Sequence, residues 1–218
     1  MTQAAEVHPL KSPRQTRWAK RINNRTVYNT IKRAFYDCKA QAPILMAPCG
    51  YGWFFDRFQR DGLEIVGIDI DPKTVAWART AVDPSPKVYE GSALEMPFKD
   101  GQFDFTVSNR FILHFDKDFR AKAFKEYARV TRRFLLVHYD YPTSFRQLLH
   151  KIRGYNPGQR NIKEVAKWQQ TQSAGHKQIY DRAAMEAEGA AGGWRVKKLY
   201  FVCRFVSDRV YCLYEKAN

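Results

Sequence analysis

The sequence has few of the features that mark secreted, metal-binding or membrane-spanning proteins. Its four cysteines, Cys38, Cys49, Cys203 and Cys212, are scattered without a Cys-x-x-Cys pair, and its five histidines are equally dispersed. This spacing predicts reduced, buried thiols and no metal site. No apolar run approaches the roughly 18 residues of a membrane-spanning helix, and the first residues show no apolar signal-peptide core. We therefore expect a cytoplasmic protein.

Acidic residues are missing from one long stretch of the chain. None occurs between Glu6 and Asp37, where eight lysines and arginines fall, and the whole chain has a formal net charge of +15. A second stretch, from Arg146 to Lys177, holds seven basic residues and the single acid Glu164. Such an excess favours anionic partners, which include nucleic acid, phosphorylated metabolites and anionic membrane surfaces.

The length and pattern of the chain indicate one α/β domain without internal repeats. Residues 1–13 are polar and contain two prolines, so we predict that they are disordered. Residues 14–218 are predicted to form a single domain. It has one or two basic helices over 14–40 and an insertion at about 142–180.

Strand-like and helix-like patterns alternate through the middle of the chain, which predicts a doubly wound, mostly parallel sheet. The tail differs, because residues 196–205 and 209–214 are two strand-like runs joined by a short turn. A short turn predicts an antiparallel hairpin. The other predicted strands are 44–47, 63–70, 87–89, 103–108 and 134–139; the helices are 51–60, one that Asp71 caps and that ends before Pro84, and 116–130.

A glycine-containing turn follows the first predicted strand. Gly50 and Gly52 lie in this turn, and Asp69 ends the next apolar strand 17 residues after Gly52. Glycines let a ligand approach the backbone where a Cβ atom would collide, so we expect a side chain on Gly52 to occupy cofactor space. A carboxylate at the tip of the second strand can accept both hydroxyls of a ribose. The pattern therefore predicts a nucleoside-containing cofactor at the carboxyl edge of the sheet.

The rest of the pattern separates two classes of cofactor. Dinucleotide enzymes place a third glycine where this chain has Phe55. The sequence instead resembles the class I S-adenosylmethionine (SAM) methyltransferases, in particular their type 11 group. The motifs that carry the resemblance, in the family's order and spacing, are Cys49-Gly50-Tyr51-Gly52, Gly67-Ile68-Asp69, Gly91-Ser92-Ala93, Gly101-Gln102-Phe103-Asp104-Phe105 and Glu126-Tyr127-Ala128-Arg129-Val130.

The resemblance implies a Rossmann-like methyltransferase fold with a carboxyl-terminal hairpin and SAM as the cofactor. Two family positions differ, since the first-motif acid is Met46 and the aspartate that often contacts adenine is Ser92. The residues that the resemblance assigns to cofactor binding are Cys49, Gly50, Gly52, Asp69, Ile70, Ser92, Ala93 and Asn109. For Cys49 itself we also expect a packing role under the loop.

Candidate catalytic residues follow the fourth strand. Asn109 and His114 are expected at the pocket mouth, and an imidazole that titrates near neutral pH can serve as a general base. The alternative for His114 is a structural role at the next helix. Enzymes that methylate base amines typically carry a proline pair at residues 110–111, where this chain has Arg110-Phe111. His138 and Asp140 share one face of the fifth strand, and one of them is expected to line the site.

The basic stretches bear on the acceptor. We expect residues 14–40 and 144–177 to flank one pocket mouth and make it electropositive. Residues 144–154 have an amphipathic, basic pattern, which fits either a helix that covers the sheet or one that touches an anionic membrane.

The leading hypothesis is a methyltransferase that acts on oxygen, or in second place nitrogen, of a small anionic acceptor or of one linked to a lipid or glycan. Peripheral contact with an anionic membrane would accompany a lipid-linked acceptor. One alternative is an RNA methyltransferase whose basic amino terminus grips phosphates. Another is a SAM-fold binding protein without catalysis, which Met46 and Ser92 would support.

Overall fold

A computed structural model describes residues 18–141, 180–202 and 209–217, with the backbone alone for 18–23. Several sequence predictions therefore lie outside the described residues: the disordered 1–13, most of the insertion, the amphipathic stretch 144–154 and the turn of the terminal hairpin.

The described residues form a seven-stranded sheet in the order β3-β2-β1-β4-β5-β7-β6. Strands β1 to β5 are parallel, whereas β7 is antiparallel to both of its neighbours. This confirms the mostly parallel sheet with a terminal antiparallel hairpin. The strands are β1 (Ile44–Met46), β2 (Ile65–Asp69), β3 (Lys87–Glu90), β4 (Phe103–Ser108), β5 (Thr131–Asp140), β6 (Trp194–Phe201) and β7 (Arg209–Lys216).

Helices cover both faces of the sheet. One face packs against α1 (Trp18–Asp37), α2 (Phe55–Arg60) and α3 (Pro72–Arg79) through one apolar cluster. The other packs against α4 (Lys117–Val130) and α5 (Arg182–Ala191) through a second. The inner strands are buried along nearly their whole length, as a sheet covered on both faces requires. A 3₁₀ turn, Ile112–His114, links β4 to α4.

Local sequence sets where the helices begin. The side chain of Asp71 accepts a hydrogen bond from Lys73 N at 3.0 Å and Pro72 is the first helical residue, as predicted for α3. Asp116 caps α4 in the same way, through Phe119 N at 2.8 Å. In contrast, α2 begins four residues later than predicted, because residues 51–54 continue the glycine turn. Helix α5 was not predicted at all.

The two ends of the insertion meet at the carboxyl edge of the sheet. Tyr180 N donates to Asp140 O at 3.0 Å, and the rings of Tyr139 and Tyr180 lie 4.8 Å apart. Below them the Tyr139 hydroxyl donates to Glu188, which also pairs with the buried Arg120. The insertion therefore leaves and rejoins the fold beside the end of β5.

Candidate functional site

Asp69 connects the glycine turn to the end of β2. Its carboxylate accepts Gly50 N at 3.0 Å on one oxygen and Asp71 N at 3.2 Å on the other. A further backbone bond, Cys49 N to Ile68 O at 2.8 Å, fastens the turn to the same strand. An ionised carboxylate has about four acceptor sites, so two remain after these bonds. The half-buried Asp69 can therefore hold the turn and still accept two ribose hydroxyls.

The two glycines of the turn have different surroundings. Both have positive φ, +54° at Gly50 and +67° at Gly52. A Cβ atom on Gly50 would meet nothing within 4 Å, whereas one on Gly52 would lie 3.1 Å from Ala81 and Phe55 and 3.3 Å from Ala78. Our expectation that a side chain on Gly52 would fill cofactor space is wrong, because that side faces the protein interior. Gly50 presents the open side of the turn.

Cys49 lies beneath the turn rather than on its open side. Its Sγ would be 2.9 Å from a Cβ atom on Gly67, which shows how closely the thiol packs against β2. Burial, reinforced by the charge of Asp69, raises the pKa of the thiol to about 12. Cys49 is therefore a protonated packing residue; its backbone N–H ties the turn to β2, and its Sγ donates to Gly50 O at 3.4 Å. Cys38, Cys49 and Cys212 are free thiols, and Cys203 lies outside the described residues.

An apolar surface continues from the turn toward β3. Ile70 is 70% exposed, which is unusual for a large aliphatic side chain and suits contact with the flat face of a nucleobase. The pairing of Asp69 with Glu90 brings the following residues, Ser92 and Ala93, beside it. Ser92 Oγ accepts Leu94 N at 3.1 Å, and Ala93 is buried. The turn, Asp69 and this surface together fit an adenosine-containing cofactor.

Asn109 lies beside the glycine turn because β4 pairs with β1. Met46 is in register with Val107, which places Asn109 level with Pro48. Two tyrosines that the sequence did not identify hold this end of β4. The Tyr127 hydroxyl donates to Ala47 O at 2.9 Å and lies 3.1 Å from Ser108 Oγ. From the other face, the Tyr211 hydroxyl donates to Asn109 Oδ1.

Cationic and imidazole groups gather at the same edge. Arg110 is exposed and has φ of +54°, a conformation that few residues other than glycine adopt. Loss of contact with solvent is the main cause that lowers the pKa of the His114 imidazole, and the positive charge of Arg110 is the second. Burial lowers the pKa of His138 to about 3. Both ring nitrogens of His138 are buried without a hydrogen-bond partner among the described residues, whereas Asp140 is half-buried.

Two residues of the basic amino-terminal stretch, Lys32 and Lys39, lie near the opposite edge of the sheet. Lys32 pairs with Asp61, which follows α2 at the amino edge of the sheet, and Lys39 O accepts a hydrogen bond from Arg133 near the start of β5. For these residues our prediction of a position at the pocket mouth is wrong. Residues 14–17 and 144–177 lie outside the described residues. Within the described ranges we find neither a cluster of three potential metal ligands nor a helix long and apolar enough to cross a membrane.

Comparison with known proteins agrees with the fold and with a candidate cofactor site at the carboxyl edge of the sheet. Residues 45–134 match the sequence model of a family described as "Methyltransferase domain". No curated protein matches the chain in sequence.

Three solved structures illustrate the likeness in fold. The magnesium protoporphyrin IX methyltransferase of Synechocystis PCC 6803 with bound S-adenosylhomocysteine (SAH) has a TM-score of 0.65 at 15% identity, over 93% of this chain and 89% of its own. The PH0226 protein of Pyrococcus horikoshii has 0.63 at 19% identity, over 88% and 90%. A SAM-dependent methyltransferase of Methanosarcina mazei has 0.57 at 17% identity, over 80% and 92%.

The described residues thus have the fold of the class I methyltransferases, and residues 45–134 match the sequence model of a methyltransferase domain. The glycine turn and Asp69 give this fold a site that suits SAM.

Proposed function

We propose that the protein is a SAM-dependent methyltransferase that acts on an oxygen of an anionic acceptor, either a small molecule or a group linked to a lipid or glycan. The observation that carries the proposal is the position of Arg110. Its exposed guanidinium follows β4 at the edge where the cofactor-binding turn lies, and its positive field acts on both His114 and His138. A guanidinium there favours a carboxylate or phosphate over a neutral or cationic acceptor.

Side chains and backbone groups of the protein can provide the other two requirements of the reaction, which are binding of the cofactor and removal of a proton from the acceptor. When bound, SAM supplies a methyl group on a sulfonium leaving group, so the protein needs mainly to align the reactants and exclude water. Gly50, Asp69 and Ile70 would hold the cofactor on the turn and the adjoining surface. The lowered pKa of His114 favours the neutral imidazole, which is the form that can take a proton from an acceptor hydroxyl. We place this reaction in the cytoplasm, with peripheral membrane contact where the acceptor is lipid-linked.

Transfer of labelled methyl groups tests the proposal. The purified full chain is incubated with SAM that carries a tritiated methyl group and, separately, with lipid, glycan and total RNA extracts. We expect label in the lipid or glycan fraction, and we expect Arg110→Gln to reduce it at least tenfold. Arg195→Gln is the matched control, since it removes another exposed guanidinium, from the opposite edge of the sheet. Label confined to RNA, or an unchanged rate in Arg110→Gln, would reverse the acceptor assignment.

A further inference from the structure

One hydrogen bond links the terminal hairpin to the cofactor edge. Tyr211 belongs to β7, and β5 lies between β7 and β4 in the sheet. The Tyr211 ring is fully buried on the face covered by α1 to α3, and its hydroxyl reaches past β5 to donate to Asn109 Oδ1. His138, the β5 residue in register with Tyr211, packs edge-on against its ring at 5.2 Å. A residue late in the chain thus contacts the first residue after β4.

The direction of this hydrogen bond follows from the burial of Tyr211. Burial raises the pKa of its hydroxyl well above the ordinary value, so the phenol stays protonated. A protonated hydroxyl can donate, and here it donates to the Asn109 carbonyl oxygen. Because the oxygen and nitrogen of a carboxamide branch from one carbon, the two N–H donors of Asn109 are then turned away from Tyr211.

The backbone at this point is held from the opposite face as well. The hydroxyl of Tyr127, on α4, is hydrogen-bonded to Ser108 Oγ and to the carbonyl oxygen of Ala47. Ala47 is the residue just before the glycine turn begins. Ala47 N also donates to Val107 O at 2.9 Å. The ends of β1 and β4 are therefore fixed to each other, and the side chain of Asn109 is the group that a ligand on the turn meets beside them.

We propose that Tyr211 is a positioning residue of the cofactor site, which fixes the Asn109 carboxamide so that its N–H groups are ready to bond SAM. The proposal rests on SAM as the cofactor and not on the identity of the acceptor. It makes the terminal hairpin part of the cofactor site, although no residue of the hairpin lies in the motifs of the family. Asn109 is the group that touches the cofactor, and Tyr211 acts through it.

A double-mutant cycle on SAH affinity tests the proposal by calorimetry. Tyr211→Phe removes one hydroxyl, and we expect SAH to bind about three- to tenfold more weakly, the range that corresponds to one ordinary hydrogen bond. Asn109→Leu should weaken SAH binding at least as much, and the double variant no more than Asn109→Leu alone. Asn109→Asp keeps an oxygen for Tyr211 but offers no N–H, so its SAH affinity should fall while its melting temperature stays near that of the unmodified chain.

Tyr214→Phe is the matched control. Tyr214 lies on the same strand and is equally buried, but its hydroxyl bonds Tyr139 and Met185 O on the opposite face of the sheet. This variant should lower the melting temperature and leave SAH affinity unchanged. Unchanged SAH affinity in a folded Tyr211→Phe variant, or fully additive losses in the double variant, would overturn the proposal.

A measurement on the unmodified chain covers the case in which Tyr211→Phe does not fold. The ¹⁵N-labelled side-chain amide of Asn109, assigned by its loss in Asn109→Asp, should shift when SAH is added. An amide signal that SAH leaves in place would also overturn the proposal. Since these readouts need no acceptor, a failure of the acceptor assignment leaves them intact.

Discussion

The two edges of the sheet use polar groups in opposite ways. At the amino edge and along the adjoining outer strand β6, each of three acids is shared by two cations, so that attraction within the protein occupies the carboxylates. Asp104 is the most buried of them, with its side chain 2% exposed. The three clusters are Asp37 with Arg33 and Lys198, Asp104 with Arg132 and Arg133, and Glu215 with Arg195 and Lys197.

At the carboxyl edge the polar groups keep capacity for other partners. Asp69 accepts two backbone N–H groups but, among the described residues, pairs with no cation. Asn109 has one bond, through its oxygen, and His138 has none within the described ranges. Buried and half-buried polar groups are ordinarily satisfied, so an edge that leaves several of them open is the edge where a ligand completes the bonding. We therefore infer that the ion-paired acids of the amino edge stabilise the fold, and that the polar groups of the carboxyl edge, which can accept or donate further hydrogen bonds, bind the ligand.

The largest expected effect is at Asp69. Asp69→Ala removes the proposed ribose ligand and the two bonds that shape the turn, so we expect SAM and SAH binding to weaken by about 2–3 kcal/mol, the range for hydrogen bonds to a charged group. Calorimetry with SAH measures the change. Asp71→Ala is the control, because Asp71 only caps α3 and should cost stability but little affinity. Equal affinities in the two variants would contradict the difference between the edges.

At the amino edge, loss of an acid should change stability alone. Burial by itself would raise the pKa of Asp104, but the bonds from Arg133 and Gln41 N hold it below its ordinary value. Asp104→Asn should therefore lower the free energy of unfolding by about 2 kcal/mol at pH 7. Because the folded pKa is lowered, this contribution is complete above about pH 4 and is lost as pH falls through the folded value.

Urea unfolding of Asp104→Asn between pH 7 and pH 2 checks both statements. The variant and the unmodified chain should converge in stability at the acid end and bind SAH equally at pH 7. A weaker SAH affinity would show that the amino edge also takes part in binding.

The two glycines of the turn allow stability and cofactor binding to be separated within three residues. Gly52→Ala adds a Cβ atom 3.1 Å from Ala81 at a positive φ, so it should destabilise the fold by roughly 1–3 kcal/mol. Gly50→Ala has the backbone strain without the collision and should cost about 1–2 kcal/mol. Thermal unfolding measures the difference. SAH affinity should fall more in Gly50→Ala than in Gly52→Ala, because the new methyl group of Gly50→Ala lies on the open side of the turn. A larger loss of affinity in Gly52→Ala would contradict our placement of the cofactor on that side.

Sequence predicted those parts of the molecule that short-range chemistry determines. Asp71 before Pro72 predicted the start of α3, and the strand-like run 103–108, with apolar residues at every second position, predicted β4, because capping and side-chain alternation act within a few residues. The start of α2 was missed because the aromatic residues 51, 53 and 54 suit a helix as well as a turn, whereas Gly52, with φ of +67°, keeps this stretch in the turn. Helix α5 was missed because its apolar residues are mostly alanines, which carry a weak periodic signal.

The candidate site divides in the same way. Gly50 and Asp69 were predictable because a strand end, a turn and a spacing specify them together. Tyr211 was not, because β7 is buried on both faces, and no alternation distinguishes a tyrosine that reaches the site from its neighbours. Its contact with Asn109 joins residues 102 apart in sequence. Lys32 and Lys39 of the basic amino-terminal stretch were assigned to the wrong edge of the sheet. An excess of basic residues predicts that a surface is positively charged, but it does not predict at which edge that surface lies.

The smallest expected effect is at Lys198, on the outer strand. Its Nζ lies 2.8 Å from Asp37 Oδ2, but the lysine side chain is 49% exposed and the acid 36%. Exposed pairs of this kind contribute about 0–1 kcal/mol, and Arg33 and Tyr200 remain beside Asp37 after the lysine is removed. Lys198→Gln should therefore lower the unfolding free energy by less than about 1 kcal/mol. Urea unfolding at low and high salt measures this loss, which should shrink further with salt because screening weakens exposed pairs. SAH affinity should not change; a loss of affinity at so distant a cation would mean that the charges of the two edges act on one ligand.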